Sequence, residues 1–224
     1  MAGEEEDLNA EAPTAAAIEA GRRLFARACR FTAGAERADA LPAPGLPEVA
    51  FAGRSNVGKS SLINALVGHN ALARVSRSPG RTQQINFFDL GGSLLLVDLP
   101  GYGFAAVGEE RKEAWSTLIR LYLQGRPSLR RLCLLIDGRH GLKAEDRRVM
   151  DELDRAAVSY QLVLTKADKT TAPALARQLG EVTAEAARHK AAHPFVQVTS
   201  AVDGRGLPEL RCELASLSRP TPLR

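Results

Sequence analysis

The sequence predicts an α/β protein in three layers, with a mostly parallel six-stranded sheet that carries helices on both faces. Apolar runs alternate with helix-like segments over residues 48–217, which is the pattern of repeated strand and helix units. The apolar runs have few polar residues on either face, as expected for parallel strands that are buried on both sides. Only "LGG" at 90–92 separates the second and third runs, which is too short for a crossover connection. We therefore expect this pair to form a hairpin, which gives the sheet one antiparallel strand.

The elements are assigned in chain order from these patterns. Strands are predicted at 48–53, 83–90, 93–99, 131–138, 160–165 and 195–200, and helices at 59–67, 109–123, 144–157, 173–190 and 206–217. Together they form one predicted domain at 48–218. Because only a short tail is predicted at 219–224, we expect no further C-terminal domain.

The chain before the first strand is predicted to have two parts. Residues 1–20 are acidic and rich in Ala, and we expect a disordered tail there. Residues 21–47 are expected to contain a helix and an extended lead-in. The helix is predicted because apolar residues of the run 17–31 recur at near-helical spacing, and the lead-in because three prolines lie in 41–47.

We expect no membrane-spanning segment. Of the 224 residues, 45% are hydrophobic and 25% are charged, and no apolar run approaches the length of a membrane helix. The N-terminus has acidic residues where a secretory signal or a mitochondrial presequence would place basic ones. We expect a monomeric cytoplasmic protein.

The charge is distributed unevenly along the chain. Residues 1–19 carry six acidic and no basic side chains, which leaves 30 basic against 20 acidic side chains in the remainder. A basic body is typical of a protein that binds a polyanion such as a nucleic acid. A solvated arginine-rich surface has the same composition, so charge alone leaves both interpretations open.

Cysteine and histidine show no metal-binding pattern. Cys29, Cys133 and Cys212 have no CxxC spacing, and we expect three reduced structural thiols. The four histidines also lack ligand spacing.

The stretch "GRSNVGKSS" at 53–61 has the spacing of a phosphate-binding loop. Its glycines let successive backbone N–H groups surround an anion, Lys59 reaches the outer phosphates and Ser60 reaches Mg²⁺. A glycine-rich turn that fits by chance is the alternative, but the stretch follows a predicted strand and opens a predicted helix, which favours nucleotide binding. The predicted ligand-binding residues here are Gly53, Arg54, Ser55, Asn56, Val57, Gly58, Lys59 and Ser60.

The stretch "VDLPGYG" follows a second buried strand and predicts the γ-phosphate sensor. Asp98 matches a carboxylate that holds Mg²⁺, and the amide of Gly101 is placed to contact the γ-phosphate. Leu99 and Pro100 complete this predicted segment. A DxxG alone is weak evidence, but it is strong when it follows a phosphate loop.

The stretch "TKAD" at the end of the strand 160–165 predicts guanine as the base. The carboxylate of Asp168 can accept hydrogen bonds from N1–H and the exocyclic amine of guanine, whereas adenine would leave this acid, expected to be buried, unpaired. Lys166 is expected to lie along the base and brace the phosphate loop, and the Ala201 amide is expected to donate to the guanine oxygen. The predicted base-binding residues are Thr165, Lys166, Ala167, Asp168, Thr199, Ser200 and Ala201.

The segment before the second strand predicts a switch. Thr82 is placed to join Ser60 and Asp98 on Mg²⁺ when the γ-phosphate is present and to leave after hydrolysis. We expect 68–82 and 98–110 to reorganise between nucleotide states. The predicted ligand-binding residues of this segment are Gly80, Arg81, Thr82, Gln83 and Gln84.

Taken together, these motifs resemble the EngB family of bacterial GTP-binding proteins over about residues 22–217. The matching stretches are "EVAFAGRSNVGKSSLINAL", "SPGRTQQINFF", "VDLPGYGFA", "LIDGRHGLKAED", "LTKADK" and "VTSAVDGRGLPEL". The resemblance implies a Ras-like sheet with one antiparallel strand, slow Mg²⁺-dependent hydrolysis of GTP to GDP, association with large ribosomal subunit precursors, and a role in cell division and septation. A septum-associated GTP-binding module that acts without RNA is the alternative.

The predicted catalytic apparatus lacks one group. Ras-type enzymes place a water-orienting glutamine after the DxxG glycine, and this chain has Tyr102 there. Catalysis is then expected to depend on Lys59, Thr82 and Gly101 together with Mg²⁺, and to be slow until a partner supplies a missing group. Asn56 offers a hypothesis, because related GTPases use an asparagine there to hold K⁺. An asparagine chosen for its tolerance of unusual backbone angles is the alternative.

A basic stretch leaves the strand at 131–138 on the same side as the predicted nucleotide site. Its residues Arg139, His140, Lys143, Arg147 and Arg148 are candidates for an RNA-facing patch. A solvated loop and helix face is the alternative.

Overall fold

The fold is described from a computed structural model, which describes residues 13–69, 72–73, 84–102 and 109–219, with side chains in the helix 109–125 described from residue 117 onward. The strands in this part of the chain are β1 (Cys29–Ala35), β2 (Glu48–Gly53), β3 (Ile85–Leu90), β4 (Leu94–Asp98), β5 (Leu129–Asp137), β6 (Tyr160–Thr165) and β7 (Gln197–Val198). The helices are α1 (Ala15–Phe25), α2 (Lys59–Val67), α3 (Glu109–Gly125), α4 (Ala144–Arg155), α5 (Ala172–Ala186) and α6 (Leu207–Ser216).

The described strands form a single sheet in the order β1-β3-β4-β2-β5-β6-β7. β3 is antiparallel to both of its neighbours, and all the other pairs are parallel. The predicted three-layer fold with one antiparallel strand is therefore confirmed. The predicted count of six strands is wrong, because β1 adds a seventh strand at the edge beside β3.

The N-terminal boundaries also differ from the prediction. The helix predicted over 17–31 ends at Phe25, and Cys29–Ala35 is a strand that follows it. The helix begins at Ala15, inside the segment expected to be a disordered tail, because Thr14 caps its N-terminus and its interior is rich in alanine. Burial of Leu24 and Phe25 in a core cluster shared with α6 stabilises the helix further.

The predicted β3–β4 hairpin is present and its tight turn depends on glycine. Gly91 and Gly92 have φ values of 58° and 68°, a left-handed conformation that other residues adopt only with strain. The Gly92 amide donates to Oδ1 of Asp89 at 2.7 Å. This turn reverses the chain and sets β4 beside β2, with Asp98 at its carboxyl end.

Two apolar clusters, one on each face of the sheet, form the core. The first joins the strands to α3, α4 and α5, and the second joins them to α1, α2 and α6. Alternate residues of β2 point into opposite clusters, so this central strand is buried on both faces. Cys133 is buried in the second cluster, where burial raises the pKa of its thiol to about 12. All three cysteines are free thiols.

The amino end of the sheet contains a buried polar network. Glu48 at the start of β2 is fully buried and pairs with Arg126 at 2.7 Å. The hydroxyls of Tyr122 and Ser128 donate to the same carboxylate at 2.9 and 2.8 Å. The guanidinium of Arg126 also lies 5.5 Å from the ring centre of Phe87. The network joins α3, β2 and the start of β5 at the end of the sheet opposite the predicted site.

None of the helices in the described part of the chain is both long and apolar enough to cross a lipid bilayer.

Candidate functional site

The carboxyl ends of the parallel strands bring the predicted motifs to one edge of the sheet. Gly53, Asp98, Asp137 and Thr165 are the last residues of β2, β4, β5 and β6. Crevices at this edge are where open α/β sheets bind ligands. The described motif residues therefore lie around one site.

The predicted phosphate loop connects β2 directly to α2. Gly58 precedes the first helical residue and has φ 105°, so a residue with a side chain would be strained there. A Cβ on Gly53 would lie 2.8 Å from Cγ1 of Val57, so the loop closes tightly on itself. The loop presents the N-terminus of a nine-residue helix to the site, which favours an anion.

Asn56 lies within this loop at φ 61°. Asparagine tolerates this left-handed conformation better than most residues do, which fits the conformational explanation of its presence. The potassium hypothesis is not tested by this geometry and stays a prediction.

Residues after β6 fasten the phosphate loop from the side. The Thr165 hydroxyl donates to the carbonyl oxygen of Val57 at 2.6 Å. The Lys166 ammonium donates to the carbonyl oxygen of Asn56 and, at 2.9 Å, to Oδ2 of Asp137. Lys166 thus contacts the loop as predicted, and Asp137 holds it there.

Asp137 was not singled out by the sequence reasoning. Burial raises the pKa of Asp137, but hydrogen bonds from Arg139 and Lys166 outweigh this effect and hold the pKa below its ordinary value. The carboxylate therefore stays charged and is shared by both cations. Its signal in the sequence was its position at the end of an apolar strand, "LLIDG", at the edge where ligands bind.

Lys59 and Asp98 form a buried ion pair in the centre of the site. Their side chains are 12% and 7% exposed, and the ammonium of Lys59 contacts Oδ1 of Asp98. Asp98 lies beside β2 because it pairs in register with Phe51. One cation and one carboxylate thus meet at the mouth of the phosphate loop, where a phosphate and a metal ion would each find an opposite charge.

The residues present fit Mg²⁺. Asp98 supplies a carboxylate and Ser60, the second residue of α2, supplies a hydroxyl, and hard oxygen ligands of this kind suit the ion. No cluster of three or more acidic, histidine or cysteine side chains occurs in the described part of the chain. Such a cluster is not needed, because Mg²⁺ at phosphate sites uses one or two protein groups plus water and phosphate oxygens.

The segment after β4 lies against the phosphate loop. The Tyr102 amide donates to the Gly53 carbonyl at 3.2 Å, and the Ser55 amide donates to the Tyr102 carbonyl at 3.3 Å. These bonds form a parallel bridge between Arg54 and Tyr102. A Cβ on Gly101 would lie 3.2 Å from Oγ of Ser55 and 3.3 Å from the Gly53 carbonyl, so close approach favours glycine there.

The side chain of Tyr102 is directed toward α4. Its hydroxyl donates to Oδ1 of Asp146 at 2.8 Å, and the other oxygen of Asp146 accepts from the Lys143 amide at 2.8 Å. Burial raises the pKa of Asp146, and burial together with this carboxylate raises the pKa of Tyr102, so the phenol stays a neutral donor. The residue in the position of the Ras-type glutamine is therefore bound to a different element.

The predicted base-reading residues lie on two adjacent loops after β6 and β7. Asp168 belongs to a short 3-10 helix, Ala167–Lys169, and the Ser200 hydroxyl donates to its Oδ1 at 2.8 Å. The amides of Val202 and Asp203 donate to the Ser200 oxygen at 3.2 Å each. Ser200 thus orients the carboxylate, a role that the sequence reasoning missed.

One expectation about Asp168 is wrong. The sequence reasoning treated this carboxylate as buried, whereas Asp168 is exposed in the structure. Ser200 and Thr199 beneath it are buried. The exposed carboxylate of Asp168 is therefore held in place by the buried residue Ser200.

The predicted switch residues lie mostly outside the described part of the chain. Gly80, Arg81, Thr82 and Gln83 all do, and so do most of the segment 68–82 and residues 103–108 of the segment 98–110. Gln84 is described, and its Oε1 would lie 2.8 Å from a Cβ on Gly34 of β1, so it sits across that strand.

The predicted basic patch is partly neutralised. Arg139 forms two hydrogen bonds with Asp137, at 2.9 and 2.8 Å. Arg147 pairs with Glu185 of α5 at 3.1 Å. His140 lies 3.7 Å from Asp137. The prediction of a patch with five available cations is therefore weakened, and Lys143 and Arg148 are its members without an ion pair among the described residues.

The chain is similar to a known protein family and to named proteins of other organisms. The family model described as "50S ribosome-binding GTPase" matches residues 48–166. A protein of Rhodospirillum rubrum named "Probable GTP-binding protein EngB" is 55% identical over 94% of this chain and 93% of its own length. A protein of the same name from Granulibacter bethesdensis is 54% identical over 92% of each chain.

Solved structures share the fold. A crystal structure of a probable GTP-binding protein engB has a TM-score of 0.60 at 21% identity, covering 76% of this chain and 97% of that one. Era in complex with MgGDPNP and nucleotides 1506–1542 of 16S ribosomal RNA has a TM-score of 0.62 at 19% identity, covering 80% and 59%.

Proposed function

Because this chain belongs to the EngB family of GTP-binding proteins, we propose that it is a slow, Mg²⁺-dependent GTPase that acts as a switch during assembly of the large ribosomal subunit. The observation that carries the proposal is the meeting of the phosphate loop, Asp98 and the Asp168 loop at one edge of the sheet. Normal cell division and septation would then depend on the protein through ribosome supply.

The phosphate end of the site supports nucleotide hydrolysis. Lys59 would exchange its bond to Asp98 for the outer phosphates, and Asp98 and Ser60 would hold Mg²⁺ together with Thr82. When bound, the ion neutralises charge on the β- and γ-phosphates. The loop amides and Lys59 stabilise the charge that develops as the γ-phosphate leaves, and the amide of Gly101 contacts that group.

The orientation of Tyr102 supports a slow intrinsic rate. Its hydroxyl is bound to Asp146, so in this conformation it does not orient a water molecule at the γ-phosphate. Single-turnover hydrolysis by the isolated protein is expected to be slow, as for other GTPases without a positioned water-orienting group. Acceleration by added large ribosomal subunits would show that a partner supplies the missing group.

The base end of the site supports guanine recognition. Ser200 fixes one oxygen of Asp168, and the carboxylate accepts the two N–H donors on one edge of guanine. An amide in place of the carboxylate presents one acceptor and one donor group, which matches xanthine. In Asp168→Asn we expect the preference to change from GTP to xanthosine triphosphate, by roughly 10⁴ in relative affinity.

Calorimetry with both nucleotides measures this change. The variant Asp151→Asn is the control, because Asp151 is an exposed aspartate on α4 outside the predicted site. Retained GTP preference in Asp168→Asn would contradict the base assignment. Tighter binding of ATP than GTP by the natural chain would contradict the whole proposal.

Ribosomal RNA is the proposed partner. Support comes from the description of the matching family model and from the excess of basic side chains outside residues 1–19. We expect the protein to cosediment with purified large subunits when a GTP analogue is bound and not when GDP is bound. This binding should weaken as the salt concentration rises. Binding to septal components without any RNA dependence would favour the alternative of a septum-associated module.

Dependence on K⁺ is a separate part of the proposal. If Asn56 helps to hold K⁺ beside the phosphates, turnover in KCl exceeds turnover in NaCl at the same ionic strength. Equal rates would leave the backbone conformation of Asn56, at φ 61°, as the reason for this residue.

A further inference from the structure

We infer that the hydroxyl of Ser55 binds the γ-phosphate of GTP and thereby strengthens the binding of GTP relative to GDP. The inference rests on the proposed function, because it requires the phosphate loop to hold a guanine nucleotide. It assigns to one side chain a role that neither the loop pattern nor the backbone amides supply. Ser55 is part of the phosphate loop, and its Oγ faces Gly101, the proposed γ-phosphate sensor.

The first observation is an unsatisfied hydroxyl. Oγ of Ser55 is buried and has no hydrogen-bond partner among the residues that the structure describes. A buried polar group without a partner destabilises the conformation that contains it, and such groups are uncommon in native proteins. Ser55 therefore favours any state of the loop in which its hydroxyl finds an acceptor.

The second observation is what covers this hydroxyl. The bridge between Arg54 and Tyr102 holds the loop against the segment after β4, and it uses the carbonyl of Gly53 and the amide of Ser55 itself. Oγ lies 3.2 Å from the position of a Cβ on Gly101. The hydroxyl is thus enclosed between the loop and the glycine whose amide is proposed to contact the γ-phosphate.

The two observations give the hydroxyl a preference between nucleotides. A γ-phosphate that reaches the gap between the loop and Gly101 brings a charged acceptor to Ser55, and a hydrogen bond to a charged group is stronger than one between neutral groups. GDP ends one phosphate earlier and supplies no acceptor there. When GTP is bound, the arrangement with the Arg54–Tyr102 bridge, in which the hydroxyl has no partner, is therefore less favourable than one in which the hydroxyl contacts the γ-phosphate. With GDP bound, the hydroxyl gives no such difference.

The position of Tyr102 makes this role more consequential. Its side chain is bonded to Asp146 and contributes nothing at the γ-phosphate in this conformation. Among the described residues, Ser55 therefore joins Lys59 as a side chain that can distinguish a bound triphosphate from a bound diphosphate. It is a specificity-determining residue in this assignment, and proton transfer is not part of its role.

The test measures the affinities of two nucleotides for three proteins. Calorimetry with Mg²⁺ compares GDP with a non-hydrolysable GTP analogue in the natural chain, in Ser55→Ala and in Ser61→Ala. GDP is the internal control for an intact loop, because it uses the same amides without the γ-phosphate. Ser61 is the matched control, because it is an exposed serine on α2 outside the predicted site.

In Ser55→Ala we expect affinity for the analogue to fall about tenfold while affinity for GDP stays the same or rises slightly. In Ser61→Ala both affinities are expected to match the natural chain. An unchanged ratio of the two affinities in Ser55→Ala overturns the inference. An equal loss for both nucleotides also overturns it, because the serine would then only shape the loop. Failure of the natural chain to bind either nucleotide contradicts the proposed function instead.

Discussion

An ion pair lies at each end of the central sheet, and the two pairs differ in how completely their charges are bonded. At the amino end, the carboxylate of Glu48 accepts from Arg126, Tyr122 and Ser128. Arg126 also donates to the Pro42 carbonyl at 2.5 Å. Both charges are therefore surrounded by partners, as buried ions must be if they are to remain charged.

At the carboxyl end, Lys59 and Asp98 are almost as deeply buried but share a single described contact. The second oxygen of Asp98 and the remaining ammonium hydrogens have no partner among the described residues. We interpret the first pair as structural and the second as the pair that the proposed function uses. The first has used its bonding capacity inside the protein, whereas the second keeps capacity for phosphate and metal.

The largest expected effect tests the structural pair. Glu48→Ala leaves Arg126 buried without its counter-charge, and we expect the free energy of unfolding to fall by about 3–5 kcal/mol. Urea unfolding of the ligand-free protein measures this loss. Glu36→Ala is the matched control, because Glu36 is exposed and is expected to contribute within about 0.5 kcal/mol. Equal midpoints for both variants would refute the structural role of the network.

The next effect tests the functional pair. Lys59→Ala is expected to weaken binding of GDP and GTP at least about 100-fold, because the phosphates lose their charged side-chain donor. The free energy of unfolding should change much less than in Glu48→Ala, because water can then reach Asp98 from the open side of the loop. Lys190→Ala, an exposed lysine at the other end of the molecule, is the control. A loss of stability as large as that of Glu48→Ala would remove the distinction between the pairs.

The smallest effect sharpens the comparison within the network. Tyr122→Phe removes one donor to Glu48 and leaves Arg126 and Ser128 in place. We expect a loss of about 1 kcal/mol in urea unfolding, the usual contribution of one hydrogen bond, with nucleotide affinity unchanged. Combining it with Ser128→Ala in a double-mutant cycle measures how strongly the two donors interact through the shared carboxylate. No loss in either variant would mean that Arg126 alone satisfies the acid.

Most of the sheet was predictable because its strands are marked locally. β2 and β6 coincide with the predicted ranges, since each contains a short, mostly apolar run that ends at a polar or glycine-containing motif. β1 was missed because it is an edge strand with mostly exposed residues, and its apolar residues continue the spacing of the helix before it. Its strand conformation depends on pairing with β3, which lies more than 50 residues further along the chain.

The site was predictable where the chemistry is carried by consecutive residues. The phosphate loop and the "TKAD" stretch are recognised from the spacing of consecutive residues, and the structure places both at the same edge of the sheet. The contacts of Ser200 with Asp168 and of Tyr102 with Asp146 join residues that are 32 and 44 positions apart. Such pairings are set by how the loops pack, and nothing in the spacing of the residues specifies them.

The fastening of the phosphate loop by Thr165 and Lys166 has a consequence for how a nucleotide is held. These bonds join the loop that is proposed to face the base to the loop that is proposed to face the triphosphate. Once one end of a nucleotide is bound, its other end would therefore meet the second loop at a high effective concentration. Guanosine and inorganic triphosphate offered as separate molecules are expected to be poor substitutes for the intact ligand. A nucleotide with a base other than guanine is also expected to place its phosphates incorrectly in the phosphate loop, so recognition of the base would affect binding of the phosphates.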